Sequence, residues 1–234
     1  MLEKSSNKYW SKKEHNEKDI VSFLSWFDKC KSLKEFEITG MQDFCYRIMT
    51  EDITSHMGNT KDKNCLEIGF GGGRLMSVAS KFFKKCYGVD IHKNFENTQK
   101  VLEYQGIKNF ELLKYSKDLE IEDKIDFVYS YIVFQHFDSW DVVKEYFDLF
   151  ENITSKDCYF SIYFGRNDEN KEPFIEREMY EEHAYTLVVN PEFAIKYIQS
   201  RGYEIISAGI NKKNIFEKEK LSGQFFVKFR RKND

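Results

Sequence analysis

The chain has 234 residues, 41% hydrophobic and 17% aromatic, enough to bury a full core as one domain with additions. A net charge of -3 gives no general attraction to nucleic acid or anionic lipid, and charges interrupt every apolar run well before membrane-spanning length. The start, "MLEKSSNKYWSKK", is too polar for a secretory signal, and the five cysteines are scattered with no C-x-x-C pair, so a cytoplasmic protein with reduced thiols, no metal site and no membrane partner is expected.

In chain order, apolar residues recur at helical spacing from Asp19 to about Leu33 and again from Met41 to Met57, which predicts two amphipathic helices. After the break "GNTKDKN" short apolar strands alternate with helix-like segments, the rhythm of parallel α/β units. A strand is predicted at Asn64–Ile68, a helix from Gly73 to Lys84, a strand at "CYGVD", and a helix from about Asn94 that stops at Gly106. "FELLKY" and "IDFVYSYIVF" read as the third and fourth strands. A helix opening at Ser139 leads into the fifth, "CYFSIYFG". Residues 166–189 break the rhythm as an insertion, and Asn190 caps a helix with Pro191 at its first position. "YEIISAGI" is the sixth strand. The last, "QFFVKFRRK", comes after a loop too short for a crossover helix and should run antiparallel to it. The expected architecture is a Rossmann-like seven-stranded, mostly parallel sheet with an antiparallel last strand and helices on both faces. Residues 1–60 form an N-terminal helical lid and 61–234 the core.

The stretch "CLEIGFGGGRLM" places four glycines directly after the first strand. A strand, a glycine turn and a helix together aim free N–H groups at one place, where a ligand can approach the backbone closely. A Walker A loop needs a Gly-Lys-Ser/Thr end that is missing, and a dinucleotide loop counted from Gly69 would put Arg74 where a third glycine is needed. The spacing that fits is acid-x-Gly-x-Gly-x-Gly, with Glu67, Gly69, Gly71 and Gly73.

Those residues resemble motif I of the class I S-adenosylmethionine-dependent methyltransferases, a likeness covering roughly Lys61 to the C-terminus. It implies S-adenosylmethionine as cofactor and S-adenosylhomocysteine as product, cradled by Glu67, Gly69, Phe70, Gly71 and Gly73. A carboxylate at Glu67 suits the ammonium of a methionine moiety and would repel a pyrophosphate. Asp90, ending the second strand, is placed to accept both ribose hydroxyls, with Ile91 beside the adenine. The family often has an acid after the third strand; here the stretch is Tyr115, Ser116, Lys117, leaving Ser116 or a backbone N–H for the adenine edge.

"DFVYSYIVFQHFDSW" resembles the segment after the fourth strand in small-molecule methyltransferases. It implies Ser130 and Tyr131 under the methionine end of the cofactor, with Gln135 and His136 lining the acceptor pocket. His136 would serve as base for a hydroxyl acceptor; it could equally be a cap or packing residue. Tyr9 and Trp10 stand out in the polar arm as aromatics to cover the sulfonium or to pack on the helices. Tyr163, Arg166 and Tyr180 flank the fifth strand's exit as acceptor contacts, and His183 is a second candidate base.

The only prolines are Pro173 and Pro191, so the Asn/Asp-Pro-Pro-Tyr/Phe pattern of exocyclic-nitrogen methylation is missing. The expected activity is methyl transfer to a small polar metabolite, at oxygen rather than nitrogen, such as a surface-glycan or secondary-metabolite precursor. The alternatives are an RNA or protein methyltransferase, a non-catalytic cofactor-binding scaffold, and an NAD(P)-dependent oxidoreductase.

Overall fold

The computed structural model describes residues 5–15, 19–167, 172–179, 185–212 and 221–232. The chain divides into two compact units, one of residues 10–116 and one of residues 1–9 with 117–234.

Where two amphipathic helices were expected, the described residues among the first sixty form four: α1 (Ser6–Lys12), α2 (Ile20–Phe27), α3 (Leu33–Asp43) and α4 (Glu51–Met57), with a π-helical turn at Phe44–Ile48. Local chemistry makes the breaks. Asp19 opens α2 by accepting the Ser22 N–H at 2.7 Å. The helix ends before Lys29, whose φ of 57° lies in the left-handed region. Ser32 then starts α3 by accepting the Glu35 N–H, while the Glu35 carboxylate reaches back to the Lys31 N–H, a reciprocal cap readable in "SLKE". Phe23 and Leu24 of α2, Cys30 and Phe36 form one buried cluster.

The glycine loop is carried by β1 (Asn64–Ile68), α5 (Arg74–Ala79), β2 (Lys85–Asp90), α6 (Phe95–Tyr104) and β3 (Phe110–Lys114). The three strands are parallel, with β2 central: Ile68 pairs with Val89, and Asp90 with Lys114. Helix α5 is shorter than its apolar face suggested. Past Ala79 the turns tighten, as in the bond from Lys81 N–H to Val78 O, and the Asn109 amide satisfies the carbonyls of Ser80, Phe83 and Lys84. Val101 of α6 joins the α2 cluster.

In the other unit β4 (Ile125–Ser130) is parallel to β5 (Thr154–Arg166), and α7 (Trp140–Ile153) connects them. Strand β4 is shorter than expected, because Tyr131–Val133 leave the sheet and Phe134–His136 coil into a 3₁₀ turn. Ser139 stands at the N-cap position of α7 but its hydroxyl makes no cap bond; the Trp140 N–H goes to Glu176 at 2.8 Å. That glutamate belongs to β6 (Phe174–Glu176), which pairs antiparallel with β7 (Leu187–Val189). The interval read as an insertion thus contributes two strands, giving nine among the described residues instead of seven. Asn190 caps α8 (Pro191–Ser200) as its sequence predicts, accepting from Glu192 and Phe193. The last strand, β9 (Leu221–Arg231), runs antiparallel to β8 (Tyr203–Lys212), as expected, and also to β5. Stacked rings hold the layer: Phe160 lies 4.6 Å from Phe229, with Phe150 and Tyr203 packed on Phe160.

Gly40 in α3 marks a close approach to α5, since a Cβ there would stand 2.7 Å from the Arg74 carbonyl. On an exposed helix, glycine to alanine stabilises by about 0.5–1 kcal/mol. Here the sign should reverse: Gly40→Ala should lower stability by ~1–3 kcal/mol, read as a lower urea midpoint at unchanged m.

Candidate active site

Three of the glycines after β1 have left-handed backbones: Gly69 (φ 77°), Gly71 (φ 53°) and Gly73 (φ 86°). The loop closes on itself through Gly73 N–H to Phe70 O and is tied to β2 through Gly69 N–H to Val89 O. A Cβ on Gly71 would be 2.6 Å from the Phe27 ring, and one on Gly72 would be 2.0 Å from Asp28 Oδ2. The close backbone approach at these two positions is therefore made by the end of α2. That demand on the glycines was invisible in the motif, which names only the loop.

Asp90 is where the sequence places it, at the end of β2, with a side chain 12% exposed. Its Oδ2 accepts the Gly71 N–H at 2.9 Å, and its Oδ1 accepts the Ile91 N–H at 2.6 Å and the His92 N–H at 3.3 Å. The carboxylate is thus oriented by the turns after β1 and β2. Glu67 is buried within β1 at 3% exposure, opposite Gly88 of β2. Ile91 is half-buried, its carbonyl held by the Lys114 ammonium, which also donates to His92 O at 3.0 Å. Burial lowers the Lys114 pKa, with nearby Asp90 opposing it. Ser116 is exposed just past β3. In the other unit Lys117 pairs with Glu145 at 2.5 Å.

Sequence reasoning missed three residues beside this loop. Phe27 and Asp28 come from the end of α2, outside the motif, and His92 follows Asp90 in the turn after β2. Arg74 bonds Asp43 at 2.7 Å and lies 3.7 Å from Asp28. Asp28 Oδ2 is buried with no hydrogen-bond partner among the described residues. Burial pushes the Asp28 carboxyl up to about 6, with Arg74 opposing. Trp10 is half-buried in this unit, 6.2 Å from the Phe27 ring, with Lys13 over its face at 4.8 Å.

The remaining candidates fall in the other unit. Ser130 is fully buried at the end of β4. The Tyr131 ring meets Tyr163 of β5 edge-on at 5.0 Å. Ile132 is next, with φ 61°, costly for a β-branched residue, and is 43% exposed. This strained residue turns the chain into the 3₁₀ segment that presents Gln135 and His136 side by side, their Nε2 atoms 3.2 Å apart. Gln135 is buried, accepts from the Gln224 amide, and bonds Thr186 N–H through its carbonyl. His136 is half-buried, 6.1 Å from the Tyr185 ring. Arg166 ends β5, paired with Val189. Tyr9 is half-buried on α1, whose first turn is capped by Asp138: Ser6 N–H donates to it at 2.6 Å. Tyr180 and His183 lie outside the described residues.

The architecture aligns with solved methyltransferases. An S-adenosylmethionine-dependent methyltransferase from Clostridium acetobutylicum superposes with a TM-score of 0.61 at 14% identity, over 84% of this chain and 98% of that one. One from Aquifex aeolicus gives 0.56 at 15% identity, over 84% and 97%. The glycopeptide N-methyltransferase MtfA, complexed with S-adenosyl-L-methionine, gives 0.58 at 10% identity, over 77% and 92%. At such identities the likeness defines the fold. The family model described as "Methyltransferase domain" matches residues 66–152, which run from β1 and the glycine loop to α7. No curated protein matches the sequence.

An acid whose folded pKa lies above its unfolded value adds stability below the unfolded pKa and loses it as pH rises through the folded one. For Asp28 that window runs from 3.8 to about 6. Asp28→Asn should therefore stabilise the protein by ~1–3 kcal/mol at pH 8 and by less at pH 5. Urea unfolding at both pH values checks this; an equal effect at both would show that Asp28 titrates normally.

Proposed function

We propose that the chain is an S-adenosylmethionine-dependent methyltransferase acting on a small polar acceptor, more readily at oxygen than at nitrogen. The observation that carries the reading is the Asp90 carboxylate held against the glycine loop by the Gly71 N–H. The residues fit the donor. The loop has no side chains at Gly69, Gly71, Gly72 and Gly73, and Asp90 is oriented by three backbone N–H groups while part of its carboxylate stays open. In this reading Asp90 receives the ribose hydroxyls, Ile91 covers the adenine, and Glu67 with the loop serves the methionine end. When bound, the donor supplies an electrophilic methyl group on a sulfonium.

For the protein, the remaining work is positioning and desolvation. Gln135 and His136 hold the acceptor. His136 takes the proton from a hydroxyl acceptor, for which a side chain with a reference pKa of about 6.5 is suited. Gln135 is buried and bonded on several sides, so it holds the neighbouring imidazole in place. Tyr131, Tyr163 and Arg166 complete the acceptor side, and Arg166 favours an anionic group. The N-terminal helices act as the lid in this reading, with Tyr9 and Trp10 kept as its aromatic contacts on sequence grounds. Tyr180 and His183 are kept as acceptor contacts on sequence grounds.

Isothermal titration with S-adenosylmethionine and S-adenosylhomocysteine tests the donor. Wild-type protein should bind both, and Asp90→Ala should weaken binding by about 10- to 100-fold with no change in fold. Unchanged affinity would remove Asp90 from the ribose site. With a labelled methyl donor and an acceptor panel, His136→Ala should lower kcat by about 100-fold or more at constant donor affinity. Unchanged turnover would reduce His136 to packing and favour an acceptor that loses no proton.

A further inference from the structure

His92 has no part in the donor and acceptor assignments, yet it is 1% exposed and every polar atom of its ring is engaged. Phe27, Phe70 and Phe95 surround it at 5.1, 5.0 and 5.2 Å. Its Nδ1 is 2.9 Å from the Asn94 N–H. An amide N–H can only donate, so Nδ1 carries the lone pair and the ring proton is on Nε2. Nε2 then donates to the Gly71 carbonyl at 3.1 Å. Burial lowers the ring's pKa and favours this neutral form, with Asp90 opposing.

Gly71 is thereby gripped on both sides of its Cα: its N–H by Asp90, and its carbonyl by His92 with help from the Thr98 hydroxyl at 2.8 Å. A left-handed glycine has a wide conformational range and needs such anchors to hold one geometry.

We propose that His92 is a positioning residue for the methyl donor: its bond to the Gly71 carbonyl fixes the glycine loop and, through the Gly71 N–H, the orientation of the Asp90 carboxylate. The inference rests on S-adenosylmethionine being the donor. It also links the loop to the arm, because Asn94, whose N–H sets the His92 tautomer, holds that arm with its own side chain. Asn94 accepts the His15 N–H at 2.7 Å and donates to Lys13 O at 3.1 Å.

A histidine that only fills its aromatic cage would tolerate a phenyl ring with no specific loss of donor affinity, and that contrast provides the test. Affinity for S-adenosylhomocysteine is measured by titration calorimetry on wild type, His92→Phe and His92→Gln, each with its urea unfolding midpoint. The phenyl variant keeps the ring and loses both hydrogen bonds. The glutamine amide restores a donor toward Gly71. His92→Phe should bind about tenfold or more weakly, and His92→Gln should return to within about threefold of wild type. If the phenyl variant does not fold, His92→Asn replaces it. That variant keeps an acceptor near Nδ1 but is too short to reach Gly71, and it should bind as weakly. Wild-type affinity in the phenyl or asparagine variant, or glutamine binding no better than either, would overturn the positioning role. No binding by the wild type would instead sink the donor reading, and this inference with it.

Discussion

The hydrogen bond from the Gly71 amide to the Asp90 carboxylate joins two turns 19 residues apart, and the candidate donor site depends on it. It exists because β1 and β2 pair in parallel register, which brings their C-terminal turns side by side. Parallel pairing puts α5 and α6 at those turns as well, and Thr98 of α6 reaches the same glycine. The end of α2 then closes over the loop with Phe27 and Asp28. A side chain at Gly71 would disturb all of these contacts at once, so one small residue sets the spacing between the loop and the helices around it.

Much of this was legible in the sequence, for local reasons. β1 was found with its limits intact because its apolar run is bounded by polar residues and glycine. The α8 start was found because Asn190-Pro191 states both cap and first position. The place of Asp90 was legible because it closes the apolar run of β2. The end of α5 was not, since its apolar face continues through Phe82 and Phe83 while the backbone tightens and Asn109 takes the last carbonyls. The hairpin of β6 and β7 escaped because three-residue strands carry almost no periodicity. Phe27, Asp28 and His92 escaped because their importance comes from what they touch in three dimensions.

The proposed acceptor side rests on different physics. Where the donor loop uses glycine to reach left-handed geometry, the turn after β4 uses Ile132, which bears a cost of about 1–2 kcal/mol. Contacts of the adjoining 3₁₀ turn sustain that cost. The turn is fastened by the Thr186 N–H and hydroxyl bonds to Gln135 and Phe137, and by ring packing of Phe134 on Phe137 at 4.6 Å. The strain therefore lies immediately beside the residues assigned to the acceptor.

The cap of α1 bears on the order in which the molecule is completed. Seven residues are too few for a stable helix in water, and the carboxylate that satisfies the first amides of α1 belongs to Asp138, 132 residues downstream of Ser6. During synthesis α1 leaves the ribosome 132 residues before Asp138 does, so its terminus cannot be closed until that intervening stretch has been made. A helix made before β4 and α7 thus settles only after them.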